Sequence, residues 1–172
     1  MIIIITGEVG TGKTTVCRKL IKLISGQGYK CGGVISYRDT DTDILIEDIQ
    51  SNHKEILASK TVIYDGPRTK GYSFNTAGID FGITSINKGI GADVLIIDEI
   101  GYLERDGEGL INGIDIVKKA RVENIILVIR GSLLSFFQNQ LGDVKPLVFK
   151  VTPGNRDYLP EKIASRFIGH ST

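Results

Sequence analysis

The chain has 172 residues, 41% hydrophobic and 24% charged, with a formal net charge of +1. This is the size and balance of one ordinary globular domain, which excludes disordered and fibrous classes and supplies no electrostatic case for nucleic acid or an anionic membrane as the main partner. Two cysteines, Cys17 and Cys31, without CxxC or Cys/His spacing, exclude a disulfide framework and read as small buried side chains.

The opening run Met1–Ile5 has no basic flank and stops at Thr6-Gly7, too short for a signal segment or a bilayer crossing; a cytoplasmic location is expected. It reads instead as a strand, Ile2–Ile5, buried on both faces. A helix is predicted from about Lys13 to Ile24, with Val16, Leu20, Ile21 and Ile24 on one face, Arg18, Lys19 and Lys22 towards solvent, and Gly26 and Gly28 ending it. Short β-rich pieces follow at Gly33–Tyr37, Ile44–Asp48 and Ile56–Ala58, separated by polar turns, and predict an antiparallel meander. Residues 65–75 carry Gly66, Pro67 and Gly71 and read as a loop, and a helix is expected over Ala77–Lys88. Val94–Asp98 is a second strand buried on both faces, followed by a glycine-containing loop and a helix over Leu110–Arg121. Strand Ile125–Ile129, helix Ser132–Gln140, strand Leu147–Val151 and a closing helix from Pro160 to Phe167 complete the chain. Strands alternating with amphipathic helices predict an α/β fold: a mainly parallel sheet flanked by helices, with a small antiparallel extension. No repeat or linker divides it, so residues 1–172 are expected to form one domain.

Gly7-Glu8-Val9-Gly10-Thr11-Gly12-Lys13-Thr14 satisfies G-x-x-x-x-G-K-[ST] between a hydrophobic strand and an amphipathic helix, the context a P-loop requires. The three glycines let the backbone wrap and turn its N–H groups inward, and the helix N-terminus favours an anion. Lys13 should reach the β- and γ-phosphates, the Thr14 hydroxyl should coordinate magnesium, and Thr15 should meet the α-phosphate. The magnesium also needs a carboxylate at the tip of a neighbouring buried strand, where Asp98 stands. Glu99, one residue on, is a candidate to polarise the attacking water. Arg130, just after a strand at the ligand edge, could stabilise charge on the transferring phosphoryl group or could be a plain surface arginine. Asn155 and Arg156 could contact base or ribose, Arg156 by stacking; an ordinary turn before the last helix is the alternative. His53, in a polar turn, and His170, near the end, are poor ligands or bases.

Three segments carry a resemblance: Thr6-Gly7-Glu8-x-Gly10-x-Gly12-Lys13-Thr14-Thr15, Asp98-Glu99-Ile100-Gly101-x-x-Glu104 and Thr152-Pro153-x-Asn155-Arg156-Asp157. Gly32-Gly33-Val34, Tyr37-Arg38 and Gly71-Tyr72 fall in matching order. Together they resemble the small nucleoside-triphosphatase family first described from thermophiles, also known as cancer-related nucleoside-triphosphatases. The resemblance implies an ASCE-type P-loop NTPase fold and slow, magnesium-dependent hydrolysis of nucleoside 5′-triphosphates, tolerant of the base. The chain departs from the family at Val9, often proline, at Tyr102 and Leu103, often Lys and Met, and at Gly154, usually Glu. A nucleoside or polynucleotide kinase and a nucleotide-gated switch are the competing classes; the guanine signature Asn-Lys-x-Asp is absent, since Asn87-Lys88-Gly89-Ile90 lacks the aspartate. Oligomeric state is not readable.

Overall fold

The computed structural model describes residues 1–119 and 122–168. Its strands are β1 (Ile2–Gly7), β2 (Cys31–Arg38), β3 (Asp43–Asp48), β4 (Lys54–Ser59), β5 (Ser73–Phe74), β6 (Val94–Ile100), β7 (Asn124–Arg130) and β8 (Leu147–Lys150). Its helices are α1 (Lys13–Gly26), α2 (Thr76–Gly89), α3 (Tyr102–Arg105), α4 (Ile111–Lys119), α5 (Leu134–Gln140) and α6 (Leu159–Ile168).

The strands join one sheet in the order β5-β4-β3-β2-β6-β7-β1-β8. From β2 to β8 every neighbouring pair is parallel, whereas β3, β4 and β5 continue the sheet as the expected antiparallel extension. Side-chain alternation divides the β1 isoleucines between two cores. Ile4 packs with Val34, Leu95, Leu127, Ile86 and Phe137, beneath α2, α4 and α5. Ile3 and Ile5 pack with Val16, Leu20, Ile96, Val128, Ile163 and Phe167, beneath α1 and α6. Each fully buried isoleucine contributes about 1.5–3 kcal/mol, which fixes β1 in the middle of the stack. Cys17 and Cys31 are buried free thiols, and burial pushes both up from the ordinary thiol range.

The predicted elements are present, with described ends unchanged or moved by at most two residues; residue 121, the predicted end of α4, lies outside the described residues. The two-residue β5 falls inside the predicted loop 65–75, and α3 inside the loop after β6. Helix α3 is too short for an amphipathic period. It is tied down by one buried side chain: Glu104 accepts the Gly101 N–H at 2.8 Å and the Leu110 N–H at 2.9 Å. Arg18 is less solvent-directed than predicted. It lies 4.3 Å from the Tyr37 ring centre and 2.8 Å from Glu47.

Candidate functional site

The site is assembled at the C-terminal ends of the parallel strands, where α/β sheets hold ligands. The loop after β1 runs directly into α1, whose N-cap Gly12 has φ +96°, a conformation that favours glycine. Lys13 is buried, with Nζ 3.1 Å from the Gly7 carbonyl and 3.0 Å from the Glu8 carbonyl, folded across the loop it should serve. Thr11 closes the loop by donating from its hydroxyl to the Glu8 carbonyl at 2.9 Å. Gly10, Thr14 and Thr15 line the cleft above, and Val9 is exposed at its edge.

Strand β7 lies between β1 and β6, so the acidic pair faces the loop across one intervening strand. Asp98 is fully buried inside β6, paired in register with Ile35 and Val128. The register then slips, Ile100 pairing with Ile129, so that Glu99 bulges out of the ladder. A bulge re-aims a side chain, and here the two carboxylates diverge. The Glu99 N–H donates to the Ser36 hydroxyl at 3.1 Å, and the Thr14 hydroxyl donates weakly to the Ser36 carbonyl at 3.5 Å.

Glu99 joins two cations. One oxygen lies 3.3 Å from Lys13 Nζ, and the other accepts from Arg130 through Nε at 3.2 Å and Nη2 at 3.0 Å. The Arg130 guanidinium also sits 5.1 Å from the ring centre of Tyr102, whose hydroxyl is 3.2 Å from that of Ser132. Lys13, Glu99 and Arg130, far apart in sequence, thus form one charged row.

Asp98 is different. Neither of its oxygens has a hydrogen-bond partner of ordinary length among the described residues. Burial, and next the negative charge of Glu99, push its pKa up from 3.8 to about 8, partly offset by nearby Thr14, Lys13 and Arg18. A buried carboxylate without a partner, beside a threonine hydroxyl, is the donor set a hard divalent cation uses when substrate phosphates and water complete its shell. No group of three His, Cys, Asp or Glu suited to a metal occurs among the described residues, and this mode of binding needs none.

At the other end of the loop, Arg156 is exposed and passes Gly12, its Cδ 3.5 Å from where a β-carbon there would stand. Asn155 is engaged locally: its Oδ1 accepts the Thr152 N–H and its Nδ2 donates to the Lys150 carbonyl, both at 2.8 Å. His53 is exposed and 3.2 Å from Glu55; His170 lies outside the described residues. The sequence reading did not single out Ser36 or give Tyr102 a role. Ser36 had one available signal, its place at the end of a strand, but only pairing of β2 with β6 brings it to Glu99. Tyr72 and Phe74 line the cleft as well.

A glycine loop with lysine and threonine at a helix start, faced across one strand by a buried aspartate and a neighbouring glutamate, defines the P-loop NTPase class. A family model described as NTPase matches residues 2–164, and the chain belongs to that family. It is similar to the nucleoside-triphosphatase THEP1 of Methanosarcina barkeri, 29% identical with 96% of each chain covered. It is also similar to the protein of that name from Methanothermobacter thermautotrophicus, 32% identical, covering 91% of this chain and 90% of the relative. The crystal structure of THEP1 from the hyperthermophile Aquifex aeolicus superposes with a TM-score of 0.79 at 24% identity, covering 96% of this chain and 98% of that one. The solution structure of a human cancer-related nucleoside triphosphatase gives 0.76 at 20% identity, covering 99% and 98%. These two likenesses bear on the fold alone.

Proposed function

We propose that the protein hydrolyses nucleoside 5′-triphosphates to diphosphates and inorganic phosphate, with magnesium, slowly and with little preference among bases, in the cytoplasm where these substrates are abundant. The observation that carries this reading is Glu99 at 3.3 Å from Lys13 Nζ, a proton acceptor beside the ammonium expected at the γ-phosphate.

The loop amides from Gly7 to Thr15, with Glu8, Val9 and Thr11 contributing backbone, wrap the phosphates. Lys13 leaves the Gly7 and Glu8 carbonyls for the β- and γ-oxygens. Thr14 and Asp98 would hold magnesium, whose chemistry here is neutralisation of phosphate charge. Release of Lys13 frees one Glu99 oxygen to orient a water and accept its proton, while Arg130 keeps the other oxygen fixed and adds positive charge near the transferring group. Slow turnover is in keeping with a base that must first give up an ion pair. Tolerance of the base is in keeping with an Asn155 amide already engaged by backbone, leaving the exposed Arg156 to stack without reading an edge.

Phosphate release from ATP, GTP, CTP and UTP should proceed at comparable rates in wild type. Glu99→Gln should slow it by about 10²–10⁴-fold with nucleotide affinity retained. A variant that turns over like wild type removes Glu99 from the mechanism.

A further inference from the structure

The cleft measures about 620 Å³, and the phosphate loop lines only part of it. Its other end is walled by Ile44, Leu57, Phe74, Ile79, Leu103 and Leu110, contributed by the antiparallel extension, α2, and α3 with the turn after it. No residue of the turn 152–157 lines it. Sheet order explains the separation: β8 and that turn lie beyond β1 on one side, and β2 to β5 lie beyond β6 on the other. Arg156 beside Gly12 marks the end of the loop where α-phosphate and nucleoside leave. Glu99 and Lys13 mark the γ-phosphate end. The apolar wall therefore lies past the γ-phosphate, where the nucleotide does not reach and where a water nucleophile needs no such lining.

We propose that this apolar end is an acceptor pocket for a small, neutral, aromatic alcohol, and that the γ-phosphoryl group is transferred to its hydroxyl. The inference rests on the P-loop reading above and replaces water by an organic acceptor. Neutrality follows from the apolar wall itself: Glu104, the acid in it, is held by two backbone amides, and Arg38, the cation on this side of the cleft, is exposed to solvent. A flat ring suits a space bordered by Tyr37, Tyr72 and Phe74. Glu99 stands between wall and phosphates, as a base for an incoming O–H must. In the step, the acceptor oxygen forms a bond to the γ-phosphorus as the bond from that phosphorus to the β–γ bridging oxygen breaks. The bonding pair leaves with the nucleoside diphosphate, and the hydroxyl proton passes to Glu99. The products are a nucleoside diphosphate and a phosphomonoester.

The probes are benzyl alcohol, 3-pyridylmethanol, uridine and guanosine, each mixed with the protein, ATP and magnesium and followed by ³¹P NMR. At least one should give a phosphomonoester resonance at the expense of inorganic phosphate and speed ADP formation at least about tenfold. Leu57→Trp, which fills the wall, should lower the ester-to-phosphate ratio; Ile44→Trp repeats the test at a half-exposed position if the first variant does not fold. Inorganic phosphate alone with every probe, at an unchanged rate, overturns the acceptor pocket and leaves hydrolysis standing. An ester ratio unmoved in both variants overturns the pocket's location. No ADP under any condition overturns the hydrolytic reading as well.

Discussion

Asp98 is a carboxylic acid held out of water, with no hydrogen-bond partner of ordinary length for either oxygen among the described residues. With its pKa pushed up to about 8, the folded chain keeps a proton that the unfolded chain, near the ordinary value of 3.8, releases. The unfolded state therefore binds fewer protons between about pH 4 and pH 8, and the stability contributed by this group falls as pH rises through that window and levels off above it. In metal-free protein, the urea midpoint of wild type should drop from pH 5 to pH 8 more than that of Asp98→Asn, which keeps the shape and removes the charge. Parallel pH dependences of the two would show that Asp98 ionises in the folded protein as it does in the unfolded chain. Its place at the end of a buried strand was legible from a hydrophobic run ending in Asp-Glu. Its protonation state was not, because that depends on how completely the neighbouring strands and α1 exclude water.

Strand β2 meets β6 through a contact that no periodicity announces. Gly33 has φ +103°, and a β-carbon there would stand 2.0 Å from the Ile96 carbonyl oxygen. That contact lets β2 lie close enough to bring Ser36 to the Glu99 amide. Gly33→Ala should cost more than about 2 kcal/mol, combining a strained backbone with a clash that only strand separation relieves, and should be read as a lowered urea midpoint. A change below about 0.5 kcal/mol would mean the strands shift without cost. Long elements such as α1 and β6 were legible because their apolar spacing is sustained over two or more turns or five residues. The two-residue β5 was not, since only its pairing to β4 holds it, and the four-residue α3 was not, since it is too short for a period and rests on the local bonds of Glu104 to the Gly101 and Leu110 amides.

Nucleotide binding should couple these elements, since the loop belongs to β1 and α1, and Asp98 and Glu99 to β6. A ligand bound only by the folded chain stabilises it by about 2.7 kcal/mol at 100 times its Kd. Wild type should therefore melt several degrees higher with saturating ATP and magnesium. Lys13→Ala should melt cooperatively but show no such rise at the same nucleotide concentration, as followed by circular dichroism. An equal rise in both would remove Lys13 from phosphate binding.

The amino-acid order alone determined the phosphate loop, the two central hydrophobic strands and the acids that end one of them. These are local patterns, in which glycine spacing and side-chain period act within a few residues. The folded chain alone decided that Glu99 bridges Lys13 and Arg130, that Asn155 is engaged by its own turn, and that apolar side chains of the antiparallel extension line the same cleft as the loop. Each of these depends on which strands become neighbours, and that order is set by burying both faces of β1, β6 and β7 at once, a condition spread over the length of the chain.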